Sequence, residues 1–175
     1  MPELEIHHET EHAIDQTGQR VGVLAALLAV ALAIVSIASH RTHTAAIIHK
    51  SSANDAWQRY QSTRVKVHTL ELGDSLVDVF GVKDGRAADA RRAFDAQKKD
   101  EDRKGKQIQK EAQLAEELAE SDERRGLLFD LGVGFLEFAR VTSSLFFISR
   151  KRLFPAIGVL AGVAGIVLAI TGWLV

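Results

Sequence analysis

Apolar and polar positions are segregated along this chain. Residues 21–39 and 153–175 carry no charged side chain, whereas 91–125 carries ten basic and ten acidic ones. A water-soluble core mixes the two classes at helix or strand period, and long unmixed apolar blocks are the mark of a bilayer. The pattern predicts an all-α membrane protein: three transmembrane helices, with a long extramembrane helical hairpin of coiled-coil type between the first and second. The expected segments are an acidic N-terminus (1–20), helix 1 (21–39), the hairpin (40–126, turning at 81–85), helix 2 (127–149), a basic turn (150–152) and helix 3 (153–175).

The first span reads VGVLAALLAVALAIVSIAS. At helical rise it covers roughly 28 Å, close to the hydrocarbon thickness. Ser36-Ile37-Ala38 has the small-x-small form of a signal-peptide cleavage site. The preceding residues, however, carry Glu3, Glu5, Glu9, Glu11 and Asp15 against Arg20 alone, and a signal n-region is positive. An uncleaved anchor is expected. Ala25, Ala29 and Ala33 make a smooth stripe on which another helix could pack closely, although alanine is also common in membrane helices.

The polar middle divides at Gly81-Val82-Lys83-Asp84-Gly85, a glycine-bracketed turn. In the first arm Ala53, Ala56, Tyr60, Thr63, Val67, Leu70 and Val77 recur at three- and four-residue spacing, with Asp74 the polar member, which predicts a narrow heptad seam. Ala90, Phe94, Ile108, Ala112, Ala115 and Ala119 predict the matching stripe in the second arm. The run from Lys98 to Lys106 between them shows no apolar seam, and Gly105 within it predicts a weak stretch. Each arm is roughly 58–60 Å long at helical rise, so an antiparallel hairpin returns the chain to the face it left.

Residues 127–149 and 153–175 flank Arg150-Lys151-Arg152, a basic turn suited to lipid headgroups. Pro155 suits a first helical turn, and Trp173 suits an interface. Gly158, Gly162 and Gly165, with Ala161 and Ala169, form three overlapping small-xxx-small pairs, a pattern for close helix packing whose partner the spacing leaves open. Asp130, Glu137 and Arg140 interrupt helix 2. The last two lie near mid-bilayer and three residues apart, so they share a face and can form an intramembrane ion pair. A charge at that depth costs several kcal/mol unless paired or wetted, roughly 2.5–3.5 kcal/mol on insertion scales. The pair is expected to be structural, or satisfied by a second copy; an ion or proton path is the alternative.

Net charge is −1 and there is no basic tail, so a nucleic-acid partner is not expected. No cysteine is present, so no disulfide framework exists. His8-Glu9-Thr10-Glu11-His12 matches H-E-x-x-H, in which two histidines on one helical face bind zinc and the glutamate is a general base. Here it stands in a polar terminus beside a membrane span, with no third ligand, and a polar juxtamembrane helix is the plainer account. His40, His43 and His49 are expected to act as interfacial anchors more than as metal ligands. No catalytic set, metal site or cofactor is expected, and the chain is not expected to be an enzyme.

The acidic start with His12-Ala13, the alanine-rich span, Trp57-Gln58-Arg59-Tyr60-Gln61 and the Ser149-Arg150-Lys151-Arg152-Leu153 turn into a glycine-rich last helix resemble the DUF4337 family of small bacterial membrane proteins. The resemblance covers most of the chain but not Arg140. It implies a bacterial inner-membrane protein with a coiled extramembrane part, and it carries no activity. By the positive-inside rule the basic turn and N-terminus are expected in the cytoplasm and the hairpin in the periplasm; Arg41, Lys50, Arg124 and Arg125 argue the other way. The expected role is that of a homo-oligomeric structural or scaffold protein embedded in the lipid bilayer, with an unidentified protein partner for the hairpin a further option. The alternatives are a channel or transporter subunit using Glu137 and Arg140, and a tethered metalloenzyme using His8, Glu9 and His12.

Overall fold

The computed structural model describes residues 16–81 and 85–175. Among these, all regular structure is helical: α1 (Gln16–Phe80), α2 (Gly85–Ser144), the short α3 (Phe146–Ser149) and α4 (Leu153–Leu174). Between Pro2 and Pro155 no proline removes a helical hydrogen bond, and glycines are few within the arms, which is why two helices of 65 and 60 residues run without a break. Three helical stretches are long and apolar enough to cross a membrane: within Gln16–Phe80, within Gly85–Ser149 and over Leu153–Leu174. The chain divides into two compact units. One combines residues up to His40 with Arg125–Val175; the other is Arg41–Arg124.

In the first unit the core is Leu28 and Val35 of α1, Phe129, Leu136 and Ala139 of α2, and Ala161 and Ala169 of α4. Val21, Leu28 and Val35, seven residues apart, are the buried line of α1. The alanine stripe lies beside it: Ala25 and Ala29 are half-buried and Ala33 is exposed. The reason is periodicity. A line of fours gains about 40° per step on a 3.6-residue helix and curls off the contact face, whereas alternating threes and fours stay on it.

α2 ends at Ser144, where Leu145 N–H is shared between the Val141 and Thr142 carbonyls at 3.3 and 3.2 Å. Ser144 Oγ donates back to Val141 O at 2.7 Å, a local bond of the kind that loosens a helix. α3 then stops at Arg150, which adopts the left-handed conformation (φ 57°) and donates its N–H to Phe146 O at 2.8 Å. This is an αL cap made without the usual glycine.

In the second unit the two arms pack along one line from each helix. Buried or half-buried on α1 are Ala46, Ala53, Ala56, Thr63 and Val67, with Tyr60, Leu70 and Val77. On α2 they are Gly105, Ala112 and Ala119, with Ala90, Phe94, Ile108 and Ala115 half-buried. Gly105 is thus a buried seam residue despite its charged surroundings. A Cβ there would touch Thr63 Cγ2 at 3.4 Å and the Tyr60 ring at 3.8 Å. With Lys98, Gly105, Ala112 and Ala119 spaced by seven, the heptad line runs straight through the charged block. Phe94 fills the space left by Gly73, with its ring 3.3 Å from where a Cβ would stand.

Candidate functional site

The glycines of α4 pack within the chain. Gly158, Ala161, Gly162, Gly165, Ala169 and Gly172 are all buried. A Cβ on Gly165 would lie 2.9 Å from Gly132 O, and one on Gly132 would lie 3.0 Å from Gly165 O, so the α2 and α4 backbones are in direct approach. A Cβ on Gly158 would collide with Ser143 Oγ and lie 2.9 Å from Ala139 O. One on Gly162 would meet Leu28 Cδ2 of α1 at 2.7 Å. The partner that the spacing alone left open is mainly α2. Close backbone approach of this kind replaces the hydrophobic drive that lipid cannot supply.

Polar groups close the same unit. Ser39 Oγ donates to Asp130 Oδ1 at 2.6 Å. Arg125 Nε donates to Gly172 O at 3.4 Å, serving one of the orphan carbonyls at the α4 C-terminus. Ser143 Oγ is fully buried and has no hydrogen-bond partner among the described residues.

Glu137 and Arg140 lie on the other side of α2. Leu136 and Ala139, the residues immediately before them, are fully buried, while Glu137 and Arg140 are both exposed. No hydrogen bond or ion pair within the described residues engages either one. The intrachain pair expected from their spacing is therefore not formed. The i,i+3 spacing sets the two positions about 60° apart, and with no neighbouring helix to draw them together each side chain extends away from the seam. Gly134, one turn earlier, has nothing within 4 Å of where its Cβ would stand. It floors a shallow groove lined by Leu127, Asp130, Leu131, Phe135 and Phe138.

In the hairpin unit, charged side chains cross between the arms on either side of the alanine seam. Lys50 meets Glu123 at 2.9 Å, Arg59 meets Glu111 at 3.4 Å, and Lys98 meets Glu71 at 2.7 Å. Arg91 bonds Asp78 and reaches Asp74 at 3.9 Å. The Lys98 ammonium, and secondarily His68, hold the Glu71 carboxyl below the usual carboxylate range; the same contact raises Lys98. Asp100 is lowered by hydrogen bonds from Lys104 and then Arg103. These groups lie in water, where each pair is weak. Trp57 donates to Glu116 at 3.4 Å and stands edge-on to Tyr60, so the Trp57–Gln61 motif sits on the inter-arm contact.

One polar pair is inside the seam. His49 Nδ1 and Asp122 Oδ2 are 2.9 Å apart, and Asp122 is only 9 % exposed. Sequence reasoning missed it, although His49 falls on the line Thr42, His49, Ala56, Thr63 and Asp122 on the line Ala115, Asp122, Phe129, so each is a polar residue in an otherwise apolar or small register. Among the described residues, no three of His, Cys, Asp and Glu converge as a metal site, and His40, His43 and His49 are no exception. His8, Glu9 and His12 lie outside the described residues.

The outward side of the α1 arm carries a second apolar line: Val65, Leu72, Leu76 and Val79, at 49–71 % exposure. Sequence reasoning missed this as well; its signal is the seven-residue step from 65 to 72 to 79. The sequence profile of a domain of unknown function (DUF4337) matches residues 17–175. No curated protein and no solved structure matches the chain.

Proposed function

Since the chain belongs to the DUF4337 family, a domain of unknown function, we propose from its geometry that it is a homo-oligomeric structural or interaction protein that assembles through its hairpin and membrane helices. The observation that carries this reading is the second apolar line on the α1 arm. Val65, Leu72, Leu76 and Val79 face away from α2 and bury little within the chain. Complete burial of such a side chain is worth about 1.5–3 kcal/mol, and an unpartnered apolar line on a water-side helix marks a protein contact. The reading assigns no catalytic residue and no cofactor.

The test is native mass spectrometry of the full chain in lipid nanodiscs. The expected masses are multiples of 19.2 kDa. Replacing Val65, Leu72, Leu76 and Val79 together by serine is expected to lower the oligomeric fraction. A monomer at all concentrations overturns the proposal.

The membrane placed around it is a bacterial inner membrane, with the exposed Arg150-Lys151-Arg152 turn and the N-terminus cytoplasmic and the hairpin periplasmic. Labelling of a single Lys151→Cys side chain from one side of sealed vesicles checks the orientation. A second reading, a channel or transporter subunit, draws on the exposed Glu137 and Arg140. The seam among the helices of one chain is filled by Leu28, Leu136 and the α4 glycines, so a path would run between copies. Loss of a measured flux in Glu137→Gln/Arg140→Met, with assembly intact, would favour this second reading.

A further inference from the structure

We infer that the exposed face of α2 at Gly134, Glu137 and Arg140 is a twofold contact between copies of this chain, in which Glu137 of each copy pairs with Arg140 of the other. The inference deepens the homo-oligomeric reading and rests on it.

Three observations converge on this face. Glu137 and Arg140 stand thirteen and ten residues before Arg150, inside an otherwise apolar stretch long enough to cross a membrane. Both are exposed, and neither has a partner within the described residues. A lone charge at this depth is costly, about 2.5–3.5 kcal/mol on insertion scales, so such residues pair or face water. Second, the two charges are opposite and equal in number, so the face complements itself. Copies inserted in one membrane share one orientation, and a twofold axis along the membrane normal sets the same residues at the same depth. Glu137 and Arg140 differ by about 4.5 Å in height. The length of an arginine side chain spans that offset, and the symmetry makes two reciprocal pairs. Third, Gly134 lies on the same side one turn earlier and has open space where a Cβ would be. Every buried glycine of α4 is explained by a neighbour inside the chain; Gly134 is not. A glycine facing outward from a membrane helix admits a second backbone.

A second copy is favoured over a lipid occupant because an acyl chain offers nothing to either charge. It is favoured over a different protein because both signs are present in reciprocal register on one face.

The absence of cysteine makes the test direct. Gly134→Cys in the full-length protein, oxidised in nanodiscs, is expected to give a crosslinked dimer. Val163→Cys, on an exposed α4 position, is the control expected to stay monomeric on denaturing gels. Adding Glu137→Lys, or Arg140→Glu, places four like charges at the contact and is expected to lower the crosslinked fraction by roughly tenfold or more. Combining Glu137→Lys with Arg140→Glu restores opposite charges and is expected to restore the crosslink, a result that misfolding cannot produce. If native mass shows an oligomer but Gly134→Cys fails to crosslink, or the exchanged pair fails to rescue, this interface is overturned and the broader oligomeric reading stands. A crosslink to a different polypeptide also overturns it. A monomer by native mass overturns both.

Discussion

Glycine has opposite meanings in the two units. In the membrane-side unit, Gly132 and Gly165 press backbone against backbone, with about 3 Å between each carbonyl oxygen and the other residue's would-be Cβ. In the hairpin, Gly105 sits in a seam of the same heptad period, but the nearest atom is the Thr63 methyl at 3.4 Å, an ordinary contact distance. The difference follows from the solvent. Between lipid-facing helices there is no hydrophobic gain from association, so stability comes from close approach, which only the smallest residues permit. In water the hairpin gains from burying any apolar group, and alanine suffices.

The first way to break this comparison is Gly165→Val. Its side chain would displace the Gly132 backbone and the Leu136 and Phe135 side chains. Overpacking of this order costs about 3 kcal/mol, and the variant is expected to lose a cooperative transition in denaturant-driven unfolding in micelles. An unchanged midpoint would mean that α4 does not pack on α2 as described.

Next in size is Asp122→Ala, which strands His49 in the hairpin seam. His49 keeps 35 % of its side chain exposed, so the lost hydrogen bond costs about 0.5–1.5 kcal/mol. Hydrogen exchange is expected to speed up around residues 46–53 and 115–122 and to stay unchanged in α4.

Gly105→Ala sharpens the contrast, because it predicts the opposite sign from a glycine substitution in α4. There is room for the methyl, and the gain in helix propensity is about 0.8–1 kcal/mol. Slower hydrogen exchange across the hairpin is expected; faster exchange would show that Gly105 is as tightly enclosed as Gly165.

The smallest effect is that of pH on the arms. Glu71 and Asp100 have carboxyls lowered by Lys98 and Lys104. A lowered carboxyl contributes stability that is present above its unfolded-state value and is lost as pH falls through the folded value. Lys98 and Lys104 are raised, so their contribution is complete below the ordinary lysine value and is lost only at strongly alkaline pH. Hairpin protection is expected to fall modestly on acidification below the carboxylate range and to be flat from mildly acidic to neutral pH. Added salt should shrink the effect.

The three apolar crossings were legible because charge is absent from 21–39 and 153–175, and because three charges in 127–149 do not outweigh its other residues. The hairpin seam was legible wherever alanine and larger apolar residues marked it. It was lost at 98–106 because a heptad line made of a lysine stem and a glycine does not register as hydrophobic. The small-residue pairs of α4 announced close packing, but spacing names no partner; that required the geometry of Gly132 and Ser143. Glu137 and Arg140 were legible as anomalies. Their spacing suggested a pair with each other, and only the burial of Leu136 and Ala139 shows that they face outward.

That outward face is the proposed contact between copies. Nitroxide labels on Gly134→Cys and, separately, on Val163→Cys, each in the full-length chain in nanodiscs, give inter-copy distances by continuous-wave dipolar broadening at short range and double electron–electron resonance at longer range. A short, narrow distance distribution is expected at 134 and a longer one at 163. No dipolar signal at 134, or a shorter distance at 163 than at 134, would contradict the contact.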